Sequence, residues 1–199
     1  MSSVVISGDT SGTITVAAPA VSGTNTITLP AVTGTAVVSG QNSAITAGTA
    51  VASTSGTSID FTSIPSWVKR ITVMLNGVSL SGNAYIRFQL GTSGTPETSG
   101  YTSYSGVIIT STVNVVNATA GFDIFGATST YADSGSLVFT NISGNIWTLQ
   151  GNYVNTTTAN FVGMIAGNKS LAGTLNMIRI TTSNGTDTFD AGSINILYE

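Results

Sequence analysis

Apolar side chains in this sequence recur at every second position, and no helical three-and-four spacing interrupts them. In Tyr85-Ile-Arg-Phe-Gln-Leu90, Ile86, Phe88 and Leu90 fall on one face of an extended chain, and Tyr85, Arg87 and Gln89 on the other. Ile71, Val73 and Leu75 alternate with Thr72 and Met74, and Asn76-Gly77 follows as a turn signal. Phe88 is therefore expected in the core and Arg87 on the opposite face, where its truncation would cost under about 1 kcal/mol unless it lies in a subunit interface. Further strand candidates are 106–117, 122–125, 137–142, 146–154, 161–166, 175–181 and 193–198, with a hairpin around Asn141-Ile-Ser-Gly-Asn145. Composition pushes the same way. Only 7% of the 199 residues are charged, against about 25% in ordinary soluble proteins. Ser, Thr, Gly, Val and Asn stand in their place, residues that lose more in a helix than in a strand or turn. The expected fold is all-β: an antiparallel β-sandwich, jelly-roll-like, preceded by an extended N-terminal segment with short strands.

The composition shifts near residue 57. No charged residue lies between Asp9 and Asp60, and the first aromatic is Phe61. The early segment repeats itself. Thr13-Ile-Thr-Val16 returns as Thr26-Ile-Thr-Leu29, and Pro19-Ala-Val-Ser-Gly-Thr24 as Pro30-Ala-Val-Thr-Gly-Thr35. Side chains this small can hardly offset an ordering cost of about 1–2 kcal/mol per residue within one chain. Such a segment is either a flexible linker or a set of strands completed by neighbouring chains, and its defined turns favour completion. The expected organisation is 1–38 as an attachment and oligomerisation segment, 39–56 as a linker or connecting strand, and 57–199 as the sandwich.

Two groups of residues carry a resemblance. Thr57-Ser-Ile-Asp-Phe-Thr-Ser-Ile-Pro-Ser-Trp-Val-Lys-Arg-Ile-Thr-Val-Met-Leu-Asn-Gly-Val-Ser79 resembles the opening of a β-sandwich domain in phage tail-fibre and minor virion structural proteins. Gln89-Leu-Gly-Thr-Ser-Gly94, Glu97-Thr-Ser-Gly-Tyr101 and Thr186-Asp-Thr-Phe-Asp-Ala-Gly-Ser-Ile-Asn-Ile-Leu-Tyr-Glu199 are similar to later parts of the same family. Ala18-Pro-Ala-Val-Ser-Gly-Thr-Asn-Thr-Ile-Thr-Leu-Pro-Ala-Val-Thr-Gly-Thr35 is similar to a short repeat of phage structural proteins. The resemblance implies a homotrimeric virion fibre that docks through its N-terminus. It carries over no catalytic residue.

The residue inventory removes whole chemistries. With no histidine and no cysteine, imidazole-based triads, thiolate nucleophiles, disulfides and zinc sites are excluded. Five basic and eight acidic residues, spread thinly to a net −3, leave no basic stripe for nucleic acid. No run approaches the ~18 apolar residues of a membrane span, and Met1-Ser-Ser-Val-Val-Ile-Ser-Gly-Asp9 lacks a secretory n-region. Ser66-Trp-Val-Lys69 matches the Ser-x-x-Lys pattern of acyl-enzymes, but its partner motifs are missing. Asp133-Ser-Gly135 is half an aspartic-protease dyad without a second half. Asp187 with Asp190, or Asp123 with Asp133, could form a glycosidase-type carboxylate pair. Asn184-Gly-Thr-Asp-Thr-Phe-Asp190 offers oxygens to a calcium ion without an EF-hand spacing. Each reads more simply as a turn or packing feature. The expectation is a non-enzyme with no cofactor and no metal.

Binding is the more promising use of the loops. Segment 92–105 carries Glu97, Tyr101 and Tyr104, and segment 126–135 carries Tyr131 and Asp133. Tyrosine gives large contact area at low entropic cost and suits a glycan or a protein partner; the same rings could instead seal the sandwich or a subunit interface. The expected function is a homotrimeric tail-fibre or spike-type component of the virion. Its partners would be copies of itself, other virion proteins through residues 1–38, and a host-surface glycan or protein. The alternatives are a capsid head fibre or decoration protein, and a carbohydrate-binding module or lectin.

Overall fold

The computed structural model describes residues 3–7, 13–17, 45–109, 112–126, 128–157 and 160–199. The chain divides into two compact units, Met1–Ala36 and Val37–Glu199. In the first, strands β1 (Ser3–Ser7) and β2 (Thr13–Ala17) pair antiparallel, with Val4 opposite Val16 and Ile6 opposite Ile14. β2 contains the first copy of the repeat. The second copy, 26–29, lies outside the described residues.

The second unit is all-β, with every pairing antiparallel and no helix among the described residues. Its larger sheet runs in the order β10 (Thr112–Ala118), β9 (Tyr101–Ile109), β14 (Val162–Ser170), β13 (Ile146–Asn155), β12 (Asp133–Ser143), β6 (Arg70–Leu80), β16 (Phe189–Tyr198) and β3 (Thr46–Ala47), with β4 (Val51–Ala52) also on β16. Its smaller sheet is β11 (Phe122–Ile124), β7 (Ile86–Thr92), β15 (Leu175–Thr182) and β5 (Ser58–Phe61), with β8 (Thr95–Pro96) on β7. Residues 46–47 and 51–52, inside the segment expected as a linker or connecting strand, thus extend the larger sheet along β16.

One core joins the sheets. Phe139 of β12 lies with its ring 6.4 Å from Phe88 of β7 and 5.8 Å from Phe122 of β11. Ile71 and Val73 on β6, Leu137 on β12 and Ile178 and Ile180 on β15 are buried with them. Such interdigitation follows from the period-2 alternation, which sends every second side chain to the same face. β12, β13 and β14 follow one another as a meander, and β9 returns beside β14, giving the spatial order of a Greek key.

Three local expectations need correction. Asn76-Gly77 is not a turn: β6 runs through it to Leu80. Gly77 takes φ +63° in a bulge, where the register against β12 shifts between Asp133 and Gly135. Its N–H donates to the Ser134 hydroxyl at 2.8 Å. Segment 106–117, expected as one strand, is divided between β9 and β10, which pair with each other. The 92–105 segment is only partly loop, because β8 forms within it and β9 begins at Tyr101.

Candidate binding surfaces

The five candidate residues do not converge; they separate into two buried clusters and one exposed ring. Tyr101, the first residue of β9, points between the sheets and packs edge-on against Phe122 at 5.0 Å. Its hydroxyl accepts from the Leu90 N–H at 2.9 Å and reaches the Glu97 carbonyl at 2.9 Å. Burial pushes its phenol well above the ordinary range, against the pull of the Leu90 hydrogen bond. Lys169 of β14 lies 5.3 Å from the centre of this ring and 2.5 Å from the Glu97 carboxylate. Glu97 also accepts from the Ala172 N–H at 2.8 Å. Partial burial opposes the charge on Glu97, but Lys169 and Ala172 outweigh it and hold the carboxylate below its usual pKa. The cluster ties the 92–100 connection to β14.

The second cluster lies beside the β11–β12 connection. The Asp133 carboxylate is buried, with the Asn155 amide donating at 3.4 Å. Burial pushes its pKa up to about 7, and the Asn155 hydrogen bond only partly offsets this. The Tyr131 ring packs edge-on against Phe161 at 5.5 Å. Phe161 in turn contacts Phe125 and Tyr153.

Tyr104 alone of the five presents its ring to water, 58% exposed on the outer face of β9. It sits opposite Asn117 on β10 and Ala166 on β14. Beside this row is an open groove of about 440 Å³ floored by β12, β13 and β14, with Ser136, Gln150, Asn152 and Met164 on its walls.

The other motifs resolve into local structure. Ser66-Trp-Val-Lys69 is a turn leading into β6, not the helix a Ser-x-x-Lys enzyme needs, and the Trp67 ring packs 6.0 Å from Tyr198. Asp187 accepts from the Ala84 N–H at 2.9 Å, whereas Asp190 accepts from the Ser79 hydroxyl. Asp123 is engaged bidentately by Arg87, both contacts at 2.8 Å. The Asn184 side-chain oxygen accepts from the Thr186 and Asp187 N–H groups, so it serves the turn itself. Each of the five basic residues has a partner within the chain: Lys69 with Asn141, Arg70 with Glu199, Arg87 with Asp123, Lys169 with Glu97 and Arg179 with Asp60. Among the described residues no three side chains of metal-ligating type gather at one point.

Comparison with family models, with curated proteins and with solved structures finds no match.

Sequence reasoning missed the surface around Tyr104. Strands β9 and β14 place apolar residues on both faces: inward lie Tyr101, Val107 and Ile165 together with the small Ser103, Ser105, Gly163 and Gly167, and outward lie Ile108, Val162 and Met164. The inward glycines leave room for rings. A Cβ at Gly163 would run into the Tyr153 ring, and one at Gly167 would stand 2.8 Å from Phe122. The signal was present as Gly163 and Gly167 alternating with Met164 and Ala166, but it reads as a weak strand until the facing aromatics are known.

Proposed function

We propose that this protein is a structural component of a bacteriophage particle, a homotrimeric tail-fibre or spike-type subunit acting by assembly and binding rather than by catalysis. Residues 1–38 dock onto other virion proteins, and the two-sheet body projects from the particle. The observation that carries this reading is the division of the chain at Ala36 into a small N-terminal unit and a body with its own core. The segments that resemble fibre proteins support it, since two of them, 57–79 and 186–199, supply most of β6 and β16, adjacent strands of the larger sheet beside β3 and β4. We read the two sheets as a β-sandwich of jelly-roll-like kind, with a Greek key; the three-strand meander β12 to β14 departs from the alternation between sheets of a strict jelly roll. A head fibre or decoration protein would share this build.

The test is particle incorporation. The full chain should co-purify with particles, and a chain lacking residues 1–38 should fold, keep its near-UV circular dichroism, and stay off them. A truncated chain that still incorporates would move the docking site into the body. The groove beside Tyr104, walled by Gln150 and Asn152, favours a second reading as a lectin-type module. Binding of the isolated chain on a glycan array is its signature.

A further inference from the structure

We propose that the outer face of strands β10, β9, β14 and β13 is the surface on which a second copy of this chain packs; the inference rests on the assembly reading above and locates it.

The face is built from cross-strand rows that the register fixes. Val113 stands opposite Ile108, Ile108 opposite Val162, and Val162 opposite Val154, so four apolar side chains line up across four strands. In the next row Val115 and Met164 flank Gly106. All point away from the core: Val113 is 66% exposed, Val115 65%, Ile108 56% and Met164 55%. Isolated surface hydrophobes need no explanation, but contiguous ones of this extent mark contact sites. On β14 two of the inward positions, Gly163 and Gly167, are glycines, while the larger Val162 and Met164 stand outward.

The charge distribution selects the occupant. On these four strands Lys169 is the charged residue, and it points inward to Glu97. Across the rest of the sheet the outward charges are the Arg70–Glu199 pair, 3.0 Å apart, and Asp190 beyond the last bulge of β16. Close to the axis of a symmetric homo-oligomer like positions of the copies approach one another, and a charge there meets its own sign. A face without charge is self-compatible. A lipid surface would call for basic residues on the rim, which this face lacks. A glycan would call for several stacking rings, where Tyr104 stands alone. The β10 edge fits the same occupant, since Thr112–Ala118 carries none of the Lys or Pro that keep exposed edges from pairing. The four strands, about 4.8 Å apart and about seven residues long at ~3.4 Å, present on the order of 450 Å², about half of the ~800 Å² that each partner contributes to a standard interface, and the adjoining β10 edge extends it.

The experiment uses the full chain. Sedimentation velocity at micromolar concentration should give the parent a multiple of the 20.1 kDa chain mass. Ile108→Lys should reduce it to one chain with unchanged near-UV circular dichroism. Ser58→Lys, on the exposed side of β5, should keep the parental mass. Met164 should resist peroxide in the parent and oxidise in Ile108→Lys. Should the lysine variant fail to fold, Val115→Thr keeps the shape and should raise the midpoint concentration of association roughly tenfold. A monomeric parent overturns the inference, and so does an Ile108→Lys chain of parental mass with Met164 protected. A parent that is monomeric and binds glycans through Tyr104 overturns it in favour of the lectin reading. Particle incorporation separates the two conclusions: a monomer that incorporates removes this interface and leaves the function standing, and an oligomer that does not incorporate does the reverse.

Discussion

Strands β7 and β14 obey the same alternation and put it to different use. On β7 the large apolar residues Ile86, Phe88 and Leu90 are buried, as amphipathic patterning leads one to expect. On β14 the inward positions hold Gly163, Ile165, Gly167 and the charged Lys169, so only one of the four is a large apolar residue, while Val162 and Met164 face out. The difference comes from what each strand faces. β7 meets Phe139 across the core and fills the space with its own ring, whereas β14 lies under Tyr153 and Phe122, which fill the space for it. Alternation tells which residues share a face; the size of the opposing side chains decides which face is inside.

The sharpest break of this contrast is Phe88→Ala. The ring is fully buried against Phe139, so its loss should cost about 3–5 kcal/mol by chemical denaturation. Arg87→Ala comes next, and here the expectation of a small cost outside a subunit interface is corrected. The side chain is 18% exposed and pairs with Asp123, which is 3% exposed, so truncation leaves a carboxylate buried and alone. A cost of about 2–4 kcal/mol follows, moderated by the remaining exposure of the arginine. In a double-mutant cycle, adding Asp123→Asn should recover part of it.

Gly163→Ala turns the comparison round. A methyl group that would be welcome in most strands must here displace the Tyr153 ring, and a loss of about 1–3 kcal/mol should appear as a lower Tm. A neutral result would show that β14 has slack beneath it and that its inward glycines are not enforced from the core.

Asp133 gives a smaller effect with a distinctive pH profile. Its folded pKa of about 7 lies above the ordinary 3.8, so the native state holds the proton more tightly than the unfolded chain. Stability from this group is fully present below about pH 3.8 and is lost as the pH rises to about 7. The sequence has no histidine or cysteine, so apart from the terminal amino group nothing else ordinarily titrates between pH 5 and 8. Tm should fall across that window, and Asp133→Asn should flatten the profile, gaining about 1–2 kcal/mol at pH 8. A parental profile that is already flat would show that Asp133 is solvated. The smallest change expected is Tyr104→Ala, under about 0.5 kcal/mol in a single chain. Tyr101→Phe, three residues away, removes a buried hydroxyl and should cost more.

Much of the fold was legible because extended strands write themselves into the sequence. The one-sided strand at 85–90 and the hairpin at Asn141–Asn145 are where the alternation puts them, the latter held by the Asn141 amide donating to the Gly144 and Ile146 carbonyls. Asn76-Gly77 misled because a bulge and a turn demand the same positive φ of glycine, and only the partner strand distinguishes them. The candidate site was less legible. Tyr101, Tyr104 and Tyr131 look alike as loop tyrosines, yet β9 turns Tyr101 inward and Tyr104 outward, and Phe161 claims Tyr131. Asp133 reads as an exposed turn residue and is a buried acid.

The place of β16 sets the order in which the body can be finished. It follows all the other described strands in the chain, yet it lies beside β6, with Ile196 opposite Val73, and the early strands β3 and β4 rest on its other side. At about 5–20 residues per second, a nascent chain waits roughly 5–25 s between completing β6 and completing β16. Throughout that interval β6 offers an unpaired flank backed by Ile71, Val73 and Leu75, open to the corresponding strand of any neighbouring nascent chain. Polysomes crowded with this message are thus where wrong partners would be met, and a ribosome-bound chaperone that shields the β6 flank should raise the yield of correctly paired protein.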